Sequence, residues 1–491
     1  MAPERDDLKR KAVQSTAWYG LTRLVTQFVS WFTTLILARL LTPEDYGLFA
    51  MAFAVISFFE LFQEFGLGVA IVQRQDLTRR HVNAIFWIIV ASSSVLAVAA
   101  SLGAPLAAAF YRQERLTGMI QALSVLFLLN SIGLVPYNLL TKELDFRRRS
   151  LAESLGVIAQ ALSSLALAWL HYGVWALVFG NVARGLVRNT TMLILCRWWP
   201  TWTRDFEGVG SYLRFGLRVA GTSGVNTVSG VANNAIVGRF LGGTSLGHLS
   251  MAESLGRSNP FHSITTSVIN QLSLPLFSKL QQDDADLRAY FLRITRYLAI
   301  VALPLQIGLT LVAPEAVRVL LSDKWSPTIP LLQMFSIGGI LSVLPLPCFP
   351  LLTAKGMVTA VFRYTVVFAV VIAAVYIVGA QFSIVVVVAG WLVLFPLLRL
   401  YPVGLALRAI DLSVGGYIRN IAAPLIATGV MGLAVAGVQF LLRGEGDVTR
   451  LIAAVATGAL VYAGVLYRLD PNLIEEGKTI LGHLRGKKEP A

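Results

Sequence analysis

The chain has 491 residues, of which 56% are hydrophobic and 14% charged, with a mean hydropathy of +0.67 and a formal net charge of +14. Most of such a chain cannot face water, so a soluble globular domain is excluded and an all-α polytopic membrane protein is expected. The basic residues fall between apolar segments, where the positive-inside rule accounts for them, so the charge does not point to nucleic acid.

Lys9, Arg10 and Lys11 precede the first apolar segment in the manner of a secretory signal. That segment is long, holds Arg23, and ends at Arg39 rather than at a small-residue cleavage site, so a retained first span is expected. A span needs roughly 20 apolar residues to cross a hydrocarbon core of about 30 Å. That criterion predicts fourteen transmembrane helices, at 13–38, 44–66, 82–110, 117–139, 150–170, 173–195, 210–240, 244–277, 288–320, 327–353, 359–380, 383–408, 416–442 and 448–468.

The stretch from Leu37 to Ala52 (LARLLTPEDYGLFAMA) returns as Val237 to Ala252 (VGRFLGGTSLGHLSMA), aligning Arg39 with Arg239, Leu41 with Leu241, Gly47 with Gly247, Met51 with Met251 and Ala52 with Ala252. In a slightly shifted register Ala104-Pro105 matches Ala313-Pro314, and Pro136 matches Pro345. This is the signature of a duplication. Span 7 falls on span 1, so the repeat has six spans, and an even unit makes the two halves parallel about an axis along the membrane normal. The expected organisation is an N-lobe at 1–198, a C-lobe at 199–408, and spans 13 and 14 with a C-terminal tail at 409–491.

Assigning each Lys and Arg to a side gives a strong bias. The tails and even-to-odd connections carry most of them, with Arg399 and Arg408 counted there, while the opposite side has Arg39, Arg112, Arg115, Arg239, Arg318, Lys324, Arg443 and Arg450. Both termini are therefore expected in the cytoplasm. Trp198, Trp199 and Trp202 before span 7 read as an interfacial aromatic belt. Cys196 and Cys348 lie far apart in apolar surroundings with no partner at metal-ligand spacing, and read as inert structural thiols. No metal or cofactor is expected.

All outward connections are short, leaving little room for the catalytic acids and bases of a membrane glycosyltransferase, the alternative from another class. There is no phosphate-binding G-x-x-x-x-G-K-[ST] loop, which opposes ATP hydrolysis, and Asp283, Asp284 and Asp286 read as a solvated turn. A transporter rather than an enzyme is expected.

Span 1 carries Thr22, Arg23, Thr26, Ser30 and Thr33 at helical spacing, and span 7 carries Arg218, Thr222, Asn226, Ser229 and Asn233 in a similar stripe. Under the repeat Thr22 falls on Thr222, Thr26 on Asn226 and Thr33 on Asn233. Single Thr and Ser residues in such positions are expected to bind helices together; the paired stripes are expected to wall one cavity. Arg23, Arg184, Arg188 and Arg257 lie within spans and Arg218 near the start of one, where each costs about 2.5–3.5 kcal/mol on insertion scales unless it meets water, a partner or an anion. Glu253 precedes Arg257 by one turn and can neutralise it. Glu60 and Glu64 in span 2 complete the intramembrane acids considered, Glu64 as a snorkelling residue.

The motif LARLLTPEDYGLFAMA with its echo, together with LSLPLFSKLQQD at 272–283 and APEAVRVLLSDKWSPTIPLLQ at 313–333, resembles the polysaccharide-transporter (Wzx/WzxC-type) oligosaccharide-lipid flippases of the multidrug/oligosaccharidyl-lipid/polysaccharide exporter superfamily. His248 stands where tyrosine is commoner in that family's motif. The resemblance implies a fourteen-helix fold working by alternating access in a bacterial inner membrane on a polyprenyl-pyrophosphate-linked sugar chain. It also implies a polysaccharide polymerase and export machinery as candidate partners.

A pyrophosphate is matched by arginines through bidentate hydrogen bonds, so Arg23, Arg184, Arg218 and Arg257, with Asn226 and Asn233, are the candidate substrate-binding residues. Glu60 and Glu253 are the candidates for ion coupling. A drug or cation antiporter and a lipid II flippase of the same superfamily stay open as alternatives.

Overall fold

In a computed structural model the chain is helical, and no strand occurs among the described residues. The structure describes residues 2–63, 66–74, 76–203, 209–257, 273–281 and 283–471, with 259, 266 and 269; the side chains of 2–19, 21, 69, 209, 211, 213–223 and 226 lie outside that description. Glu64 is among the residues not described.

The helices are α1 (Ala2–Leu40), α2 (Pro43–Glu60), α3 (Leu67–Gln73), α4 (Arg79–Tyr111), α5 (Leu116–Lys142), α6 (Phe146–Trp169), α7 (Trp175–Cys196) and α8 (Val209–Gly256). After a helical stretch at 273–280 come α9 (Asp284–Leu320), α10 (Thr328–Val343), α11 (Cys348–Ala354), α12 (Val358–Gly379), α13 (Ile384–Ala409), α14 (Val414–Leu441) and α15 (Asp447–Leu469).

Local chemistry sets the ends. Thr42 and Asp45 form a capping box at the start of α2, with the Asp45 N–H donating to Thr42 Oγ1 at 3.2 Å and the Thr42 N–H to Asp45 Oδ2 at 2.9 Å, while Pro43 takes the first helical position. Asp145, Asp283 and Ser413 cap α6, α9 and α14 in the same way, each accepting from backbone N–H groups of the first turn.

Nine helical segments among the described residues are long and apolar enough to cross a membrane: α4, α5, α6, α9, Thr328–Ala354, α12, α13, α14 and α15. Their outward faces are greasy; on α4, Val95, Val98, Leu102 and Leu106 recur every three or four residues and are all exposed. That is a lipid-facing stripe. The segments outside this set carry more polarity, as α7 does with Asn181, Arg184, Arg188 and Asn189.

Spans 7 and 8 are expected to meet between 240 and 244, and the helical run α8 is two helices that meet at a kink there, where Gly242 leaves helical geometry (φ 80°, ψ 178°). A glycine tolerates that positive φ. Two boundaries differ from the sequence expectation. Span 10 divides into α10 and α11 because Pro345 and Pro347 cannot donate to the helical ladder. Span 2 ends early, at Glu60, and α3 follows after Gly66 in the left-handed region (φ 70°).

The chain forms two compact units, 1–251 with 365–387, and 252–364 with 388–491. In the first, the repeated motif meets itself. A Cβ at Gly47 would fall on the Gly243 carbonyl, and one at Gly247 would fall on the Pro43 carbonyl. Since 43 aligns with 243 and 47 with 247, the contact is reciprocal, the geometry of a two-fold relation between the copies. Elsewhere in this unit Gln63 is buried and donates to Ser93 Oγ at 3.0 Å and to the Phe127 carbonyl at 2.8 Å, tying the turn after α2 to α4 and α5.

In the second unit α14 and α15 are fixed to α9 along its length. Glu315, 2% exposed, receives the Arg450 guanidinium at 2.6 Å and the Gln439 amide at 3.2 Å. Arg318 pairs with Asp447 at 3.3 Å, Asn420 donates to the Leu292 carbonyl at 2.9 Å, Tyr462 to the Ile300 carbonyl at 2.7 Å, and Arg296 pairs with Asp470. The two helices outside the duplication are thus attached by polar groups at intervals from one end of α9 to the other.

Candidate functional site

In the first unit a polar network runs through the middle of α5, α6 and α7. Arg184 Nη1 donates to Gln160 Oε1 at 3.2 Å. One turn on, Arg188 Nη2 donates to Asn130 Oδ1 and to Asn189 Oδ1, both at 3.1 Å, and Asn189 Nδ2 donates to Asn130 Oδ1 at 3.0 Å. Glycines let the helices approach closely enough for this: a Cβ at Gly133 on α5 would fall on Asn189 Oδ1, and one at Gly156 on α6 would lie 2.8 Å from Arg188 Cβ. The carboxylate whose charge acts on Arg184 is Glu153, itself paired with Arg149 at 3.2 Å. Arg149, Arg184 and Arg188 with Glu153 leave a net positive charge within apolar helices.

Other candidates of this unit stand on separate helices. Arg23 is exposed on α1, and Glu60 is half-buried at the end of α2. Arg218 and Asn226 lie on α8, with side chains outside the described residues. Asn233, also on α8, has a buried Oδ1 that finds no hydrogen-bond donor among the described residues. Two hydroxyls of span 1 donate within their own helix. Thr26 Oγ1 donates to its own helix at the Thr22 carbonyl (2.9 Å), as Thr33 does to Val29 (2.7 Å), because the i−4 carbonyl is always within reach of a helical threonine.

In the second unit the structure brings Glu253 and Arg257 together at the end of α8, Nη2 to Oε1 at 3.0 Å, with side chains 23% and 38% exposed. The Arg257 guanidinium also lies over the Trp391 ring, 5.9 Å from its centroid. The adjoining Gly256 carbonyl receives the buried Gln306 amide at 3.2 Å, and Gly256 packs on Phe335. The helix end carrying Arg257 is therefore anchored to α9 and α10.

Sequence reasoning missed three things here. Asn130, Gln160 and Asn189 were not singled out, although an amide within an apolar run is the available signal. Glu315 is the one acidic side chain in the buried class among the described residues, more enclosed than either Glu60 or Glu253. Arg399, counted among the loop charges, stands within α13, ten residues before its end. No group of His, Cys, Asp and Glu able to hold a metal ion occurs among the described residues.

Apolar outward faces and many spanning helices define a multi-pass membrane protein, and its similarity to known transporters and flippases makes it a transporter, not an enzyme. The fold is similar to that of the lipid II flippase MurJ in an inward closed conformation, with a TM-score of 0.75 over 93% of this chain and 99% of that one at 12% identity. The fold is also similar to that of an inward-facing multidrug resistance MATE family transporter of the MOP superfamily, with a TM-score of 0.61 over 80% of this chain and 98% of that one at 14% identity. Residues 36–330 match the model of the polysaccharide biosynthesis protein family, and the chain belongs to that family. Similar relatives are the teichuronic acid biosynthesis protein TuaB of Bacillus subtilis (25% identity, 94% of this chain and 97% of TuaB) and the succinoglycan biosynthesis transport protein ExoT of Rhizobium meliloti (25%, 98% and 97%). The lipopolysaccharide biosynthesis protein WzxC of Escherichia coli is 24% identical over 73% of each chain.

Proposed function

We propose that the protein is a flippase that carries a polyprenyl-pyrophosphate-linked oligosaccharide from the cytoplasmic to the outer leaflet of a bacterial inner membrane, for surface polysaccharide synthesis. The lobes 1–198 and 199–408 alternate access to a cationic lumen, the lipid tail stays in the bilayer, and no bond is made or broken. Both termini face the cytoplasm. A polysaccharide polymerase and export machinery receive the product.

The observation that carries this reading is how the arginines are held. Arg184 and Arg188 are hydrogen-bonded to neutral amides, and the carboxylate near them, Glu153, is already paired with Arg149. An excess of positive charge in apolar helices is costly until an anion arrives, and a pyrophosphate supplies one that guanidinium forks match. Arg23, Arg218 and Arg257, with Asn226 and Asn233, complete the proposed lumen; the unsatisfied Asn233 Oδ1 suits a sugar hydroxyl.

A drug or cation antiporter calls instead for carboxylates open to the lumen. Glu253 is tied to Arg257, and Glu315 is enclosed by Arg450 and Gln439, which speaks against that reading and leaves Glu60 and Glu253 as the proposed ion-coupling acids of the flippase. A lipid II substrate shares the pyrophosphate head and differs in its glycan. The test is surface-glycan complementation by Arg23→Ala, Arg218→Ala and Arg257→Ala with membrane protein levels measured alongside. Loss of export at normal levels is expected. Normal export by all three would end the cationic-lumen reading.

A further inference from the structure

Arg184 and Arg188 stand one helical turn apart on α7, about 6 Å along its axis at a rise of 1.5 Å per residue. Both stems leave the helix over the same glycine of α6. A Cβ at Gly156 would lie 2.8 Å from Arg188 Cβ and 3.5 Å from Arg184 Cγ. The two side chains therefore start from one place, within the first compact unit.

Other arginines set among these helices meet a carboxylate. Arg149 pairs with Glu153 at 3.2 Å, Arg257 with Glu253 at 3.0 Å and Arg450 with Glu315 at 2.6 Å. Arg184 and Arg188 make no ion pair among the described residues, and the side chains that hold them are amides. Glu153, whose charge reaches Arg184, is committed to Arg149. A carboxylate in place of an amide would tie the helices together as well and cancel the charge; an amide orients the guanidinium and leaves its charge in place.

The orientation is specific. Asn189 Oδ1 accepts from Arg188 Nε at 3.2 Å and from Nη2 at 3.1 Å, which fills one edge of that guanidinium. Asn130 Oδ1 accepts from Arg188 Nη2 at 3.1 Å and from Asn189 Nδ2 at 3.0 Å. Arg188 Nη1 then makes no hydrogen bond among the described residues. Arg184 gives Nη1 to Gln160, which leaves its Nε–Nη2 edge open. Arg184, Arg188, Asn130 and Gln160 are half-buried, so the cluster is not sealed off. The open edge of Arg184 matches one phosphoryl group, and Arg188 Nη1, one turn away, matches a second linked to it. A head with a single phosphoryl group engages one of the two.

We propose that Arg184 and Arg188 form a single two-pronged site that selects diphosphate-linked lipid over its monophosphate, and that Asn130 is a positioning residue that sets Arg188 for it. This rests on the flippase reading above and adds to it the feature of the head group that is read.

The experiment measures binding of farnesyl pyrophosphate, farnesyl monophosphate and farnesol to the purified full chain in lipid nanodiscs, with thermal unfolding of each variant. The unsubstituted protein is expected to bind both phosphates more tightly than farnesol, and the diphosphate about tenfold or more above the monophosphate, the difference expected for one charge-assisted contact. Arg188→Gln should remove most of that tenfold while monophosphate binding stays the same. Asn130→Asp keeps the acceptor oxygen for Arg188 and Asn189 but supplies the charge that cancels Arg188. It should lose the same preference with no fall in thermal stability, and it decides the matter if Arg188→Gln is not recovered folded. A merely structural network would bind both phosphates unchanged in Asn130→Asp. An undiminished preference for the diphosphate in Asn130→Asp, or an equal loss for both phosphates, would overturn the two-pronged site. Equal binding of the two phosphates by the unsubstituted chain, both above farnesol, would also overturn it and leave the flippase reading standing. If neither phosphate bound better than farnesol, the substrate reading itself would fall, and this inference with it.

Discussion

Arg257 makes an ion pair with Glu253 and a contact with the Trp391 face, and these two contacts separate its charge from its geometry. Arg257→Ala removes charge-assisted hydrogen bonds worth about 1.5–3 kcal/mol each, or roughly 10- to 150-fold in transport. Arg257→Lys keeps the charge without the planar fork and should restore export in part. Glu253→Gln keeps the length of the side chain and leaves Arg257 cationic while removing a proposed ion-coupling carboxylate, so export should fall, but less than with Arg257→Ala. Glycan export against protein level measures all three. Loss with Glu253→Gln and normal export with Arg257→Ala would be the pattern of a cation antiporter. The Glu253–Arg257 pair was legible in the sequence because one helical turn fixes it. Arg399 was not, because an arginine near the end of a long apolar segment looks like a loop charge until the helix is seen to continue past it to Ala409. The partners of Arg184 and Arg188 were equally hidden, since Asn130 and Gln160 come from other helices and only packing brings them there.

At the scale of helices, the α2 and α8 copies of the repeated motif meet with no room for side chains. Gly47→Val and Gly247→Val would each drive atoms into a facing carbonyl, and backbone cannot yield as a flexible side chain would. Overpacking of this kind costs about 1–3 kcal/mol where the structure can shift. Both variants should lose transport, whereas Gly103→Val, at a glycine with nothing within 4 Å, should not. Export by each variant at matched membrane levels is the measurement, and normal export by Gly47→Val would remove the contact from the working cycle. The attachment of α14 and α15 gives a second prediction. Arg450→Ala strands the enclosed Glu315 carboxylate, and breaking a buried pair from one side costs about 3–5 kcal/mol. Thermal unfolding of the purified protein should show a marked drop, larger than for Arg318→Ala, whose pair with Asp447 is far more exposed. The repeat itself was legible from five identities, but the reciprocity of its contact was not, because alignment says which residues are equivalent and not which of them touch. The break at Gly242 was legible: a boundary was expected between 240 and 244, and two helices meet at that glycine.

Across the whole molecule, composition alone made the membrane legible, since apolar runs recur from end to end and lipid-facing stripes follow from them. The separation of the charges was less so. A net charge of +14 spread over the chain does not say which arginines are inside helices, and the proposed function rests on those few. The central claim is that this chain moves a pyrophosphate-linked glycan across a bilayer without altering it. It is tested most directly by reconstituting the purified protein in vesicles with a fluorescent polyprenyl-pyrophosphate oligosaccharide in both leaflets and adding an impermeant quencher. Protein-free vesicles should lose about half the signal, and protein-containing vesicles should lose nearly all of it as inner-leaflet lipid reaches the outside, with the lipid recovered chemically unchanged. Equal quenching in both, with the protein correctly inserted, would contradict the account.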